Sequence, residues 1–369
     1  MRVLILSVTT GYGHNACAGA IKEALEERNA ETRILDTLEY INPLLGNTVD
    51  KGYLFLTKYS RVVYSRAYRI AEKRIARHHR PPMSLSRMTH SVLASKLVEY
   101  LREYEPDVVI CTHVFAAQMM TQMQLKYDIK AKTIGVVTDF TIHPYWEDSK
   151  LDYYVVANQL LEGQFKKKGL SVEKLLPIGI PIYKKFSKKK SQAEARKELG
   201  IEDKATILLM AGSMGYGNIL KVIPKLDTLD LDFQLLTVCG KNERLKKSLE
   251  EMQTNKKNKV YGFVDNIDLM MDAADCICSK PGGLTTSEAL AKGLRIIMPD
   301  AIPGQEERNM EFLLNNGLGI RATKTFPIDE CVYELFANKN RMKNLDAFEG
   351  IAKPFASSDL AELIVELCK

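Results

Sequence analysis

The chain has 369 residues, of which 46% are hydrophobic and 27% charged, with a formal net charge of +6. That length favours two domains of ordinary size, and the composition is that of a globular protein rather than a disordered or fibrous one. No apolar run approaches the roughly 20 residues that a membrane-spanning helix needs, and seven scattered cysteines without zinc spacing or a disulfide pattern fit a reducing cytoplasm.

The first apolar run, Val3–Val8, reads as a central parallel strand. It is too short for the apolar core of a signal peptide, because Thr9-Thr10-Gly11 interrupts it. Gly11-Tyr12-Gly13-His14 makes a turn, and Asn15 is a candidate cap for a helix over Ala16–Arg28. Thr32–Asp36 reads as the second strand. Full G-x-G-x-x-G spacing is absent, and Asp36 is only a weak candidate for the acid of a dinucleotide site.

Residues 37–97 break the α/β rhythm. Between Lys51 and His90, Lys58, Arg61, Arg66, Arg69, Lys73, Arg74, Arg77, Arg80 and Arg87 stand against a single acid, Glu72, and Tyr64 is among the aromatic residues interleaved with them. Two readings fit. One is a helical layer with solvated arginines; the other is a surface in a membrane interface, arginines at anionic headgroups and aromatics inserted. No nucleic-acid-binding motif accompanies the charge, so nucleic acid is not an expected partner.

Alternation then resumes. Asp107–Thr112 is a strand leading to His113, which suits a structural role, and Lys132–Val137 is a strand ending at Thr138-Asp139, with His143 close behind. Asp139 is placed to orient a histidine or hold an acceptor; a metal pair lacks further ligands at a known spacing. Lys184–Lys190 is basic and contains serine, as a linker would. A second rhythm starts with the strand Ala205–Ala211 and the loop Gly212-Ser213-Met214-Gly215-Tyr216-Gly217, a nest of N–H groups suited to phosphate or simply a loop. Strands follow at Gln234–Val238, Lys259–Phe263 and Cys276–Cys278.

Cys278 leads into Pro281-Gly282-Gly283, a helix over Leu284–Lys292, a strand at Arg295–Met298, the turn Pro303-Gly304 and a helix headed by Gln305-Glu306. Two helix N-termini after strands and glycine turns present free N–H groups to an anion. This stretch suits a nucleotide-sugar grip, with Glu288 on ribose and Gln305 and Glu306 on the sugar. It also suits an ordinary parallel-sheet connection. His14, at a helix N-terminus, suits a general base taking a hydroxyl proton, or a packing or capping role. The expected architecture is α/β: two doubly wound, Rossmann-like domains, residues 1–183 and 191–355, facing a central cleft, with the final helix, about 356–369, packing back onto the first.

Together, Gly11-Tyr12-Gly13-His14, Thr138-Asp139-Phe140 with His143, Gly179-Ile180-Pro181, Lys280-Pro281-Gly282-Gly283 with Ser287-Glu288-Ala289, and Pro303-Gly304-Gln305-Glu306 with Asn309 carry a resemblance. The chain resembles the monogalactosyldiacylglycerol synthase and processive diacylglycerol glucosyltransferase family over about residues 3–355. It is more distantly similar to the lipid-linked N-acetylglucosaminyltransferase of peptidoglycan synthesis. The resemblance implies a GT-B fold and an inverting, metal-independent transferase moving glucose or galactose from a UDP-sugar to diacylglycerol. No cofactor is implied beyond the UDP-sugar co-substrate. It implies His14 and Asp139 as catalytic residues. It implies donor contacts from Gly13, Gly212, Ser213, Gly215, Tyr216, Phe263, Val264, Gly282, Gly283, Thr285, Glu288, Gln305 and Glu306. Acceptor and membrane contacts fall to Tyr64, Arg66, Arg69, Arg74, Arg77 and His143. Relatives commonly carry arginine where this chain has Tyr183. The expected location is the cytoplasmic face of the cell membrane, held peripherally. Two other functions share parts of this pattern: a UDP-N-acetylglucosamine 2-epimerase, and a nucleotide-sugar-responsive membrane regulator without turnover.

Overall fold

The computed structural model describes residues 1–9, 12–41, 96–212, 219–337, 348 and 350–369. These form two units. The first comprises Met1–Lys184, Pro303–Gln305 and Phe355–Lys369; the second comprises Lys185–Ile302 and Glu306–Pro354. The basic stretch at 51–90, with Tyr64, Arg66, Arg69, Arg74 and Arg77, lies outside the described residues, as do Gly11, Ser213, Gly215 and Tyr216.

The first unit is built on strands β1 (Arg2–Ser7), β2 (Glu31–Asp36), β3 (Val108–Cys111), β4 (Lys132–Val136), β5 (Tyr153–Val155) and β6 (Leu175–Leu176). All pair in parallel, in the order β2-β1-β3-β4-β5-β6. Val3–Leu6 and Val108–Cys111 are fully buried, as the apolar runs dictate for strands covered on both faces. Helices α1 (Gly13–Glu26), α2 (Thr37–Ile41), α3 (Val114–Lys126) and α4 (Glu162–Lys167) cross between the strands.

Helix α1 begins three residues before the expected Ala16, and Asn15 does not cap it. The Asn15 side chain instead accepts from Ser7 Oγ at 2.6 Å and donates to Thr9 Oγ1 at 2.8 Å, tying the helix to the end of β1. Asp36 is likewise committed: it accepts from the Thr9 N–H at 2.8 Å and from the N–H groups of Leu38 and Glu39, both at 3.0 Å. Tyr183 lies against α1, where a Cβ on Gly19 would sit 2.1 Å from its hydroxyl.

The second unit has strands β7 (Thr206–Met210), β8 (Gln234–Val238), β9 (Asn258–Tyr261), β10 (Cys276–Cys278), β11 (Arg295–Met298) and β12 (Gly319–Arg321). They too are all parallel, ordered β12-β11-β10-β7-β8-β9. Its helices are α5 (Gln192–Leu199), α6 (Ile219–Asp227), α7 (Glu243–Glu250), α8 (Ile267–Ala273), α9 (Gly283–Lys292), α10 (Gln305–Asn315) and α11 (Ile328–Ala337); α10 starts at the last residue grouped with the first unit. The final helix, α12 (Ala356–Leu367), belongs to the first unit, where Arg28 donates to the Ser358 carbonyl and hydroxyl and Ser357 donates to the Ile182 carbonyl.

In both sheets the strand order reverses once, between β1 and β3 and between β7 and β10. In such sheets a crevice opens at the carboxyl ends of the strands flanking that reversal. No helix among the described residues is long and apolar enough to cross a membrane.

Helix α9 is locked from its far end. Gly293 takes the left-handed conformation (φ 77°) and donates to the Ala289 and Leu290 carbonyls, closing the helix. The Lys292 ammonium, 1% exposed, meets the Asp272 carboxylate at 2.7 Å. Removing one partner strands a buried charge, so Asp272→Ala should cost about 3–5 kcal/mol of stability in urea unfolding. The apolar pair Asp272→Leu with Lys292→Met should recover most of that loss, and failure to recover would show that the pair does more than neutralise itself.

Candidate functional site

In the first unit, the reversal point between β1 and β3 holds a group of histidines. His14, the second residue of α1, places Nδ1 2.9 Å from the Thr112 carbonyl and 3.2 Å from Thr138 Oγ1. A carbonyl oxygen only accepts, so Nδ1 carries the proton and the Nε2 lone pair is left for another partner. Burial lowers the His14 pKa below its ordinary value, against the opposing bond to Thr112, so the ring is neutral at pH 7.

His113 follows Thr112 and caps α3, its Nδ1 accepting the Phe115 N–H at 3.1 Å. That bond puts its proton on Nε2. The two rings meet edge to face with centroids 4.6 Å apart. Burial, then the charges of His14 and His143, hold His113 well below the usual range. His143 caps the short turn Pro144–Asp148 by accepting the Tyr145 N–H at 3.3 Å. Asp139 is partly exposed, three residues beyond the end of β4. Among the described residues no group of three or more His, Cys, Asp or Glu is placed to hold a metal ion.

In the second unit, the reversal point lies between the ends of β7 and β10. Gly212 there is left-handed (φ +71°), and a Cβ on it would come 4.0 Å from Cε of Lys280. Helix α9 begins at Gly283 with Gly282 as N-cap, and no side chain caps it. A Cβ on Gly282 would meet nothing within 4 Å, while Gly283, the first residue of α9, is buried. Thr285 lies in the first turn and is partly exposed.

Glu288 is 9% exposed, and burial raises its pKa to about 8, with Lys185 opposing the shift and Asp268 adding to it. Its carboxyl is mostly protonated at pH 7 and offers both a donor and an acceptor. Phe263 lies just past β9, outside the strand that was expected to include it, and is 49% exposed, with the Lys241 ammonium 5.8 Å above its ring; Val264 beside it is partly buried.

Glu306, in the first turn of α10, accepts from the Ile302 N–H at 2.7 Å and pairs with Lys280 at 3.3 Å. Gln305, grouped with the first unit, donates to Thr141 Oγ1 at 2.8 Å. The first unit thus sets His113 against His14 and within electrostatic reach of His143. The second gathers Gly212, Gly282, Gly283 and Glu306. Sequence reasoning left Lys280 without a role; a lysine just after β10, directly before Pro-Gly-Gly, was the signal available.

Residues 14–182 match the family model of monogalactosyldiacylglycerol synthase, and residues 191–324 match that of glycosyl transferases group 1. The chain is 27% identical to a processive diacylglycerol beta-glucosyltransferase of Bacillus pumilus, over 99% of this chain and 94% of that one. It is 28% identical to the enzyme of that name from Bacillus subtilis, over 93% and 89% of the two chains. It is 29% identical to the chloroplastic monogalactosyldiacylglycerol synthase of Spinacia oleracea, covering 92% of this chain and 66% of that one. Among solved structures, MurG of Acinetobacter baumannii matches with a TM-score of 0.64 and 15% identity over 99% of each chain. Anabaena HepE, solved with UDP-glucose, matches at 0.55 and 14%, over 99% of this chain and 100% of that one. These likenesses show the GT-B fold.

The Glu288 carboxyl supplies a pH test. Because the folded state raises its pKa from the ordinary 4.5 to about 8, its burial is fully tolerated below 4.5 and is opposed as pH rises through about 8. Unfolding free energy should fall by a few kcal/mol across that window, and Glu288→Gln should remove most of the fall. A slope unchanged by the substitution would assign the dependence to other groups.

Proposed function

We propose that this chain, whose residues 14–182 match the monogalactosyldiacylglycerol synthase model, transfers a hexose, glucose or galactose, from a UDP-sugar to the free hydroxyl of diacylglycerol. The observation that carries the chemistry is the bond from His14 Nδ1 to the Thr112 carbonyl. It fixes the tautomer that leaves Nε2 as a base, and burial keeps that base unprotonated at neutral pH. Nε2 takes the proton of the acceptor hydroxyl as its oxygen bonds to the anomeric carbon. The bond from that carbon to the diphosphate oxygen breaks, and UDP leaves with the electron pair. A single displacement of this kind inverts the anomeric centre.

The second unit suits the donor. The uncapped start of α9, the left-handed turn at Gly212 and the Lys280 ammonium supply fixed positive charge for the leaving diphosphate, the kind of preorganised field that lowers such barriers. On this reading the reaction needs no metal ion. Glu288 suits ribose hydroxyls, because a protonated carboxyl both donates to and accepts from a diol. Phe263 and Val264 suit the base and Gln305 the sugar, while Asp139 and His143 suit the acceptor side.

His14→Ala should abolish glycolipid formation, read by mass spectrometry of the lipid product, while UDP binding by calorimetry survives. Loss of both would make His14 a structural residue. For the unaltered protein, the acid limb of kcat/KM should lie below pH 6.5, because the His14 pKa is lowered from that value.

Diacylglycerol lies in a bilayer, so the enzyme must work at its surface. The arginines of the 51–90 stretch suit anionic headgroups at a cytoplasmic membrane face, each worth about 1 kcal/mol near the surface. Replacing Arg66, Arg69, Arg74 and Arg77 with glutamine should reduce sedimentation with vesicles rich in phosphatidylglycerol, most clearly at low salt. Unchanged sedimentation would place the membrane contact elsewhere.

A further inference from the structure

The first turn of α10 grips the segment that joins β10 to α9. Glu306 and Asn309, three residues apart and therefore on one helical face, hold adjacent residues of that segment. Glu306 Oε1 meets the Lys280 ammonium at 3.3 Å, and both side chains are about a fifth exposed. Asn309, fully buried, donates from Nδ2 to the Pro281 carbonyl at 3.0 Å. The second carboxylate oxygen, Oε2, accepts the Ile302 N–H at 2.7 Å, which fixes Glu306 from the other side. Glu306 thus already holds two partners, the ammonium and the Ile302 amide.

We propose that Glu306 acts as a positioning residue, holding Lys280 over the seat of the diphosphate, and that it does not bind the transferred sugar. The proposal rests on the nucleotide-sugar reading of the second unit. An ammonium has three N–H groups, so the bond to Glu306 leaves two for a second anion. Lys280 has the right neighbours for one. A Cβ built on Gly212 would come 4.0 Å from its Cε, and Gly282, the N-cap of α9, which no side chain caps, lies two residues on. A lysine is a flexible point charge, and without an anchor it would be spread over many rotamers. Glu306 removes that freedom in advance, so the charge is in place before the diphosphate arrives.

The two roles for Glu306 predict different ligand dependence. Affinities for uridine, UDP and UDP-glucose would be measured by calorimetry or competition on the full chain and on Lys280→Met, Lys280→Arg, Glu306→Gln and the double variant Lys280→Met with Glu306→Gln. Glutamine keeps an acceptor for the Ile302 N–H but loses the charge that holds the ammonium. Lys280→Met should weaken UDP and UDP-glucose alike by about tenfold or more, as loss of a charge-assisted bond does, and leave uridine unchanged. Lys280→Arg should recover part of that loss. Glu306→Gln should weaken UDP and UDP-glucose by the same factor, about threefold to tenfold, and should add nothing once Lys280 is methionine. A loss confined to UDP-glucose would return Glu306 to the sugar and overturn the proposal. Equal loss for uridine would show that the pair only supports the fold, and would overturn it too. If the unaltered protein bound uridine and UDP equally, the diphosphate seat itself would be excluded; if it bound neither UDP nor UDP-glucose, the nucleotide-sugar reading would fall first and this proposal with it.

Discussion

A parallel strand must be followed by a crossing that returns the chain to the same edge of the sheet, and here the helices make that return. Each helix that directly follows a strand therefore begins at the carboxyl edge, with its first N–H groups unpaired. In this chain both sheets are wholly parallel, so the constraint acts twice. Where the strand order reverses, neighbouring crossings diverge to opposite faces and leave the carboxyl edge uncovered. His14 and His113 occupy one such place, and Gly212 with the Lys280–Gly283 turn occupies the other.

The two places are built for opposite electrostatic tasks. The first unit disfavours positive charge: burial lowers the pKa of both His14 and His113, and each imidazole cation would repel the other. Neutral imidazole is the form that takes a proton. The second unit pairs the Lys280 ammonium with Glu306 beside a helix start that no side chain caps, and burial raises the pKa of Glu288 to about 8.

Stability and site are linked through α9. The helix that follows the Pro-Gly-Gly turn is closed by Gly293 and anchored at Lys292 by the buried pair with Asp272, while Asn309 of α10 holds that turn through the Pro281 carbonyl. These contacts hold a glycine turn in one conformation, and a turn with two adjacent glycines would otherwise be among the freest parts of the chain. Rigidity there matters because fixed N–H groups act on a developing charge without first reorganising.

Much of this was legible in the linear chain. Near-continuous apolar runs such as Val3–Val8 and Val108–Cys111 determined buried parallel strands, and glycine turns such as Gly11–Gly13 and Gly282-Gly283 marked where helices start, because both effects act within a few residues. The set of short motifs, read together, carried the resemblance that the match over residues 14–182 bears out. What tertiary structure decided was partnership across long separations. Asn15, expected to cap its own helix, bonds to Ser7 and Thr9 once β1 lies beside it. His14 acquires a defined tautomer only because Thr112, 98 positions away, places its carbonyl against Nδ1. Glu306 and Lys280 are 26 positions apart, and their sequence neighbourhoods say nothing of a pair. Glu288 was visible as a helical carboxylate, but its raised pKa arises from burial, a property of the packed core and not of any local pattern. Local propensity and periodicity are encoded residue by residue; the proton positions and charge pairs on which the chemistry depends exist only after distant segments meet.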